Sequence, residues 1–395
     1  MKFAHLADCH LGGWRQEELQ QLNLQSFQKA LDICINENVD FILISGDLFD
    51  SAYPPIEILK ETFAEFKKVH DSGIPVFIIA GSHDFSASGK TFLDVLEKAG
   101  FCKNIENYSI DEDNKIKLKP HIYNGIAFFG YSGKKSGMEI EDLRRVYFDS
   151  IHPFTIFMVH TTISDVVGTI PMDSIDKLKL PLADYYALGH IHQVFETRSS
   201  NSIFVYPGPI FPNNFQELAD LKYGSFQLIE KINSGLKTKN IKLPIKEVVY
   251  LEITLDNGLT ATEKIINELD KNNLHDKILL LKLKGTLMQG KSGDINFNEI
   301  EEFAKKKGVY SFLRNISSLK TNESEIDLDQ SDDNMDNIED TIIKEYSEKN
   351  PADLNKFLQS LMNSLSIEKN EDEKSINFES RLLDDIKKIL NLEFI

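Results

Sequence analysis

Histidine, aspartate and serine recur in this 395-residue chain directly after short apolar runs such as "FILIS" and "FTIFMV". In chain order these residues are Asp8, His10, Asp47, Ser82, His83, Asp84, His160, His190 and His192. A ligand set of carboxylates and imidazoles without cysteine is more typical of a site for a borderline-hard divalent ion, such as Mn²⁺, Fe²⁺ or Zn²⁺, than of a structural zinc site. Because the set is too large for one ion, it predicts two metals roughly 3.5 to 4 Å apart, an arrangement that assists phosphoester hydrolysis.

The spacing of these residues supports a shared site. Asp8 and His10 stand two positions apart in "ADCH", as do His190 and His192 in "LGHIH". Strand side chains alternate with a period of two, so we expect both members of each pair to leave the same face. Each residue alone has an ordinary explanation, as a packed histidine or a turn-capping aspartate such as Asp47. The repeated pattern favours a metal centre.

Residues 1–240 alternate short apolar runs with amphipathic segments, which indicates a layered α/β domain. The predicted strands of the first sheet are "KFAHLAD", "DFILISGD" and "VFIIAG", and the helices between them are "QQLNLQSFQKALDICIN" and "PIEILKETFAEFKKVH". Four later runs predict a second sheet packed against the first: "GIAFFGYS", "FTIFMVH", "YYALGHIHQ" and "SIFVYPGPI".

Three further segments follow this domain. Residues 245–320 combine two strands with two helices and predict a small α/β domain. Residues 321–340 hold nine acidic and no basic residues, which predicts a solvated linker over 321–337. Residues 338–395 predict amphipathic helices whose apolar faces need a cover, either a partner protein or the body of the chain itself.

Composition sets limits on location and partners. Cys9, Cys34 and Cys102 have no paired or metal-type spacing, and the N-terminus lacks the apolar run of a secretory signal, so we expect a cytoplasmic protein. The apolar runs are far shorter than the roughly 18 residues of a membrane-spanning helix, so we expect no membrane segment. Of the net charge of -18, residues 321–395 carry -12 (20 acidic, 8 basic), so the acidity does not exclude a polyanionic substrate for the rest.

The strand-end motifs together resemble those of the calcineurin-like metallophosphoesterases. More narrowly, "HLADCHLG", "ILISGDLFD" and "YYALGHIH" are similar to the Mre-eleven/SbcD family of double-strand-break repair nucleases. The resemblance covers about residues 1–210. It implies a two-sheet α/β sandwich nuclease core over 1–240, a DNA-facing capping domain over 245–320, and a docking segment over 338–395 for an SMC-like ABC ATPase of the Rad-fifty/SbcC type. It further implies a homodimer in an archaeal-type cell, associated with the nucleoid.

The resemblance also implies roles for individual residues. Asp47 bridges the two metals, and His83, beside the metals, protonates the leaving oxygen or stabilises the transition state, with Asp84 as a candidate orienting group. The first metal is held by Asp8, His10, Asp47 and His192, and the second by Asp47, Ser82, His160 and His190. The chain departs from the family pattern at Ser82, where asparagine is usual, at Asp50, where nuclease members often carry histidine, and at Pro209, where serine is usual.

We therefore predict a Mn²⁺-dependent DNA exonuclease and endonuclease with two metal ions. Two alternatives stay open: a calcineurin-like phosphodiesterase or phosphatase on small nucleotides, and a scaffold with weakened metal binding that docks the ATPase at DNA ends. For contacts with DNA phosphates, the basic candidates are Lys134, Lys135, Arg144 and Arg145. An ordinary solvated surface explains the same four residues.

Overall fold

The computed structural model describes residues 1–86, 89, 91–134, 137–149, 152–168, 172–233, 235–321, 357–365, 367 and 375–390. These fall into two compact units, residues 1–321 and 322–395. The helices of the described residues are α1 (Glu17–Asn36), α2 (Ile56–Asp71), α3 (Leu93–Lys98), α4 (Glu139–Leu143), α5 (Ser164–Val167), α6 (Phe215–Leu221), α7 (Ala261–Asp270), α8 (Phe297–Lys306), α9 (Leu358–Leu365) and α10 (Ser375–Leu390). None of them is both long and apolar enough to cross a membrane.

The strands of the described residues make four sheets. They are β1 (Lys2–Leu6), β2 (Phe41–Ser45), β3 (Val76–Ile79), β4 (Lys103–Asn104), β5 (Tyr108–Ile110), β6 (Ile116–Leu118), β7 (His121–Tyr123), β8 (Ile126–Tyr131), β9 (Val146–Tyr147), β10 (Thr155–His160), β11 (Tyr185–Gly189), β12 (Val194–Ser199), β13 (Ser202–Pro207), β14 (Gly224–Ile232), β15 (Gly235–Leu243), β16 (Val248–Thr254), β17 (Ile278–Leu287) and β18 (Ser311–Thr321).

Two six-stranded sheets form the larger domain. The first has the order β15-β14-β1-β2-β3-β4 and the second β12-β13-β11-β10-β8-β7. In the first sheet β1, β2, β3 and β4 are parallel, and β14 and β15 add antiparallel pairs at one edge. In the second sheet β13, β11, β10 and β8 are parallel, and the antiparallel strands β12 and β7 close the two edges. Strand β2, "FILIS", is buried along its whole length, as expected of a parallel strand covered on both faces. The predicted two-sheet α/β sandwich is confirmed.

The core of this domain lies in layers. Residues such as Phe41 and Phe128 from the facing sheets pack between them. On the outer face of the first sheet, α1, α2 and α3 cover a second apolar layer, and a third layer lies outside the second sheet. Because the carboxyl ends of parallel strands meet at one edge of a sheet, the loops after β1, β2, β3, β10 and β11 gather at one end of the sandwich.

The small α/β unit comprises residues 248–321 and belongs to the first compact unit, residues 1–321. Its sheet, β16-β17-β18, is parallel throughout, and α7 and α8 supply the two crossovers. One face of the sheet packs under these helices. Part of the other face joins Trp14, Leu22 and Leu218 of the larger domain in a common apolar cluster. Its assignment as a DNA-facing cap stays a prediction.

The C-terminal helices are described only in part. Helices α9 and α10 lie within residues 338–395, where amphipathic helices are predicted. The acidic linker beyond residue 321 and the segment 338–356 lie outside the described residues. Exposed apolar side chains remain on and beside these helices: Leu365 is 60%, Ile367 41% and Leu383 55% exposed.

Candidate metal centre

The predicted site residues converge at the end of the sandwich where the parallel strands finish. The reason differs from the strand alternation expected from sequence, because β1 ends at Leu6 and β11 at Gly189, before the residues concerned. Asp8, His10, Asp47 and His190 instead lie in loops with left-handed backbone, at φ values of 51°, 43°, 48° and 94°. Aspartate and histidine tolerate this conformation better than most residues, at a cost that the surrounding fold must offset.

Backbone hydrogen bonds hold two of these loops together. The Asp8 N–H donates to the Gly46 carbonyl at 3.1 Å and the His10 N–H to the Asp47 carbonyl at 3.0 Å. From α1, the buried amide of Asn23 donates to the Cys9 carbonyl at 2.9 Å. These hydrogen bonds join the loops after β1 and β2, and the Cys9 side chain lies in the core.

Asp8, His10 and His192 form the first group of possible ligands, with their ligand atoms within 4.8 Å of one another. The Nε2 atoms of His10 and His192 lie 3.1 Å apart. Asp8 Oδ1 is 4.0 Å from His192 Nε2. Asp8 and His10 are buried and His192 is 21% exposed, so this group opens toward solvent on one side.

Asp8, Asp47 and His160 form the second group, which is fully buried. Asp47 Oδ2 lies 3.2 Å from His160 Nε2 and 3.7 Å from His10 Nε2. Asp47 thus stands between the two groups, where a bridging carboxylate must stand, and Asp8 belongs to both.

The hydrogen bonds of the three histidines engage their Nδ1 atoms and leave the Nε2 atoms available as ligands. His10 Nδ1 contacts Asp50 Oδ1 at 3.1 Å, His192 Nδ1 contacts Glu217 Oε1 at 3.0 Å, and His160 Nδ1 contacts the Ser45 carbonyl at 2.9 Å. Each Nδ1 must donate, because its partner can only accept. The Nε2 lone pairs therefore point at each other or at Asp47, an arrangement that requires a cation or a proton between them.

Two unpaired atoms support a cation in this space. Asp8 Oδ2 and His160 Nε2 are buried and have no hydrogen-bond partner among the described residues, although His160 Nε2 lies near Asp47. Leaving such groups unpaired is costly, and a metal ion would satisfy both. The donor set of imidazole and carboxylate therefore fits a divalent ion.

The electrostatics of the second group are those of a strong ion pair. Burial lowers the pKa of His160, but the carboxylates of Asp47 and Asp8 outweigh it and raise that pKa to about 10. Burial raises the pKa of Asp47, and the charge on His160 and His10 more than reverses this, so its pKa lies below the ordinary value. The two buried carboxylates thus favour a positive charge at this point.

Ser82 and His190 lie at the margin of the second group. Ser82 Oγ is 3.5 Å from Asp47 Oδ2, at the limit of a hydrogen bond. The His190 N–H donates to Asp8 Oδ1 at 2.9 Å, and the His190 ring lies 5.1 Å from that of His160, centroid to centroid. Both side chains stand beside the centre, and their assignment as ligands stays a prediction.

His83 lies at the open edge of the centre, with its side chain 48% exposed. Its N–H donates to Asp47 Oδ1 at 2.8 Å, and its Nδ1 donates to the Asp50 carbonyl at 2.7 Å. With Ser82 and Tyr53 it lines a cleft of about 540 Å³. Its Nε2 is therefore the nitrogen left to exchange a proton with a bound molecule.

Asp84 does not orient His83 as expected from the family resemblance. Its buried carboxylate accepts hydrogen bonds from the N–H groups of Gly81, Leu48 and Phe49 at 2.9, 3.3 and 3.0 Å. Burial and the nearby Asp47 charge raise the pKa of Asp84 to about 6. Asp84 ties the loops after β2 and β3 together, and the contact that orients the His83 ring comes from Asp50.

Several supporting residues were missed by the sequence analysis. Glu217 and Asn213 follow no strand-end motif, and the "NNFQEL" context shows only a helix start. Gly46 and Gly81 also shape the space around two of the candidate ligands. A Cβ on Gly46, at φ +90°, would lie 2.2 Å from His160 Nδ1, and one on Gly81 would lie 2.2 Å from Asp47 Oδ1, so both positions exclude a side chain.

The candidate DNA-contacting cations are mostly paired with acidic residues. Lys134 and Arg145 both contact Asp142, and Arg144 contacts Glu141. Lys135 lies outside the described residues. These ion pairs favour the ordinary solvated-surface interpretation over a phosphate-binding one.

Comparison with known proteins agrees with this geometry. Residues 1–194 match the family model described as calcineurin-like phosphoesterase. Relatives named DNA double-strand break repair protein Mre11 include those of Archaeoglobus fulgidus (25% identical, covering 80% of this chain and 74% of the relative), Methanococcus maripaludis (30%, 56% and 60%) and Methanocaldococcus jannaschii (28%, 67% and 72%). Residues 1–194 thus match a calcineurin-like phosphoesterase domain, and the chain is similar over most of its length to archaeal proteins named Mre11.

Proposed function

We propose that this chain is a Mn²⁺-dependent DNA nuclease that processes DNA ends in double-strand-break repair. One observation carries the proposal: three histidine Nε2 atoms and two buried carboxylates face a single space, with the exposed His83 at its edge. The name of the archaeal relatives supports DNA as the substrate.

The candidate ligands form two sets, one for each metal position. Asp8, His10, Asp47 and His192 would hold one divalent ion, and Asp47, His160, Ser82 and His190 the other. Two such ions, when bound, polarise a phosphodiester and make a water molecule nucleophilic near neutral pH. Asp50, Glu217 and the Ser45 carbonyl fix the ring orientations of the ligand histidines.

His83 completes the reaction from the cleft side. The Asp50 carbonyl holds its Nδ1–H, so a protonated His83 can deliver the Nε2 proton to the departing 3′ or 5′ oxygen of the cleaved strand. Its exposure gives this nitrogen access to a substrate that lies in the cleft.

A cleavage assay tests the proposal against the two alternatives. Labelled linear and hairpin DNA, and a cyclic mononucleotide, are incubated with the full chain and Mn²⁺, with and without a chelator. We expect metal-dependent cleavage of DNA and little of the mononucleotide. Preference for the mononucleotide would favour the small-nucleotide phosphodiesterase, and DNA binding without cleavage would favour the scaffold, for which the long Ser82 contact is the structural argument.

We also propose that the C-terminal segment docks an SMC-like ATPase of the Rad-fifty type. The exposed Leu383 on α10 offers an apolar contact that a partner can cover without disturbing the chain's own core. Leu383→Asp in the full chain should abolish capture of the ATPase in a pull-down, while Lys388→Ala, at an exposed position of the same helix, should not. Equal capture by both variants would refute the docking role.

The expected homodimer is a separate proposal. Light scattering of the purified chain measures its mass directly, and a mass of 45.0 kDa at micromolar concentration would contradict it.

A further inference from the structure

Glu217 on α6 lies directly behind the first group of ligands. Its Oε1 accepts from His192 Nδ1 at 3.0 Å, and its Oε2 accepts from the Asn213 N–H at 2.8 Å. The Asn214 amide also donates to Oε1 at 2.6 Å. The carboxylate is thus fixed on both oxygens and presents one lone pair to the histidine.

These contacts belong to a closed ring. The side-chain amide of Asn213 donates to Asp50 Oδ1 at 3.3 Å, and Asp50 accepts from His10 Nδ1. The ring closes where the Nε2 atoms of His10 and His192 face each other. The start of α6 is therefore linked by hydrogen bonds to both histidines of the first group, to His192 directly and to His10 through Asp50.

The other side of α6 packs against the small α/β unit. Leu218, next to Glu217, is fully buried in the apolar cluster that contains Leu280 of β17 and Leu313 of β18. Helix α6 contacts both β16 and β18. Consecutive helix residues point about 100° apart. On this short helix Glu217 therefore points toward the candidate metal centre, while Leu218 points toward the small α/β unit.

We propose that Glu217 is a positioning residue for His192, and that packing of the small α/β unit on α6 sets the affinity of the first metal position. The inference rests on the metal set of the proposed function. The second position lacks this link, since His160 is held by the main-chain carbonyl of Ser45 in the buried sandwich.

The size of the effect follows from how such partners act. A carboxylate on Nδ1 fixes the tautomer and ring angle of a ligand histidine and raises its basicity, and loss of such a partner costs roughly 10- to 100-fold in metal affinity. Because His160 has its own support, only one of two binding events should weaken.

The first test measures Mn²⁺ binding by calorimetry in full-length variants. Glu217→Ala should weaken one site roughly 10- to 100-fold and leave the other unchanged. Glu217→Gln, which keeps an acceptor oxygen, should recover part of the loss. Asp220→Asn removes an exposed carboxylate from the same helix and should change neither site. The midpoint of thermal unfolding without metal should be alike in all three variants. If Glu217 had a purely structural role, the midpoint of Glu217→Ala would fall.

The second test uses two neighbouring, fully buried leucines of β17. Leu280 packs toward α6, whereas Leu281 packs under the small unit's own helices. Leu280→Ala should weaken the same metal site as Glu217→Ala, and Leu281→Ala should lower stability comparably while both sites keep their affinity. If either variant fails to fold, Leu280→Val and Leu281→Val repeat the comparison with a smaller cavity.

Three results overturn the inference. These are unchanged Mn²⁺ binding in Glu217→Ala, equal weakening of both sites, and equal effects of the Leu280 and Leu281 substitutions. Cleavage activity separates it from the proposed function: an unmodified chain that binds two metals but cuts no DNA refutes the nuclease and leaves the Glu217 role standing. A chain that binds no Mn²⁺ refutes both.

Discussion

Two histidines buried in this chain, His160 and His5, experience opposite electrostatics. His160 lies at the candidate metal centre beside Asp47, and the carboxylates there raise its pKa to about 10 against the effect of burial. His5 lies within the sandwich, where Nδ1 contacts the Tyr185 hydroxyl at 3.0 Å and burial lowers its pKa to about 3. Burial alone therefore does not set the charge of a histidine in this protein.

The difference separates a binding site from a structural interior. At the centre, two buried carboxylates demand positive charge, which a proton or a metal can supply. Around His5 the neighbours are apolar or neutral, so the imidazole stays uncharged and acts as a hydrogen-bonding core residue. Apart from the control, each substitution predicted below changes one residue of the candidate metal centre or of the interior around His5.

The largest effect should come from Asp47→Asn, which removes the charge that distinguishes His160 from His5. Because Asp47 stands between both groups of ligands, the variant should lose Mn²⁺ binding at both positions and all detectable DNA cleavage. Calorimetry and the cleavage assay measure this. Retention of either metal at normal affinity would show that Asp8 alone can bridge the centre.

His83→Gln should lower cleavage roughly 10²- to 10⁴-fold, the usual contribution of a positioned general acid. Mn²⁺ binding should not change, since His83 reaches Asp47 only through its backbone N–H. His70→Gln, which replaces an exposed histidine at the end of α2, serves as the control and should have full activity. Loss of metal in His83→Gln would identify His83 as a ligand.

His5 should make the protein less stable in mild acid. Its folded-state pKa lies below the ordinary 6.5, so the unfolded chain takes up a proton that the folded chain cannot, and stability falls as pH drops from about 6.5 toward 3. Between pH 7.5 and pH 5 the resulting loss in the free energy of unfolding is about 2 kcal/mol. His5→Gln should flatten that part of the pH profile in urea unfolding, and His70→Gln should not.

Ser82→Asn should have the smallest effect. The longer amide side chain brings a stronger neutral oxygen to the second metal position, where Ser82 Oγ now reaches only Asp47 at 3.5 Å. We expect the Mn²⁺ concentration for half-maximal cleavage to fall by about tenfold. No change on this substitution would mean that the serine, directly or through water, is already adequate.

The candidate site could be predicted from the sequence because its residues follow predicted strands, and parallel strands end at the same edge of a sheet. The alternation of strands and helices indicated the fold class, and the strand-end positions of the candidate residues indicated one shared site. In the structure Asp8, His10, Asp47, His160 and His192 lie in two overlapping groups at that end of the sheets. The local reason was wrong: strand alternation does not place Asp8 and His10, whose left-handed loop conformation leaves no periodic signal.

Long-range supports could not be read from the sequence. Glu217 meets His192 only because α6 returns to the centre after β13, and Asp84 bonds loop amides at positions 48 and 49 that carry no side-chain signature. Such contacts depend on tertiary approach rather than on spacing. Asp50 was visible as a departure from the family pattern, but its contacts to His10 and His83 were not.

The left-handed residues of the centre have a consequence for protein engineering. Asp8, His10, Asp47 and His190 hold their geometry through backbone angles that a regular strand end does not adopt. Copying the same side chains onto the strand ends of another sandwich would reproduce the motif without the ligand directions. A transplant would have to carry whole loops, with Gly46 and Gly81 included, because the space that the imidazole and the carboxylate occupy exists only where those positions lack a Cβ.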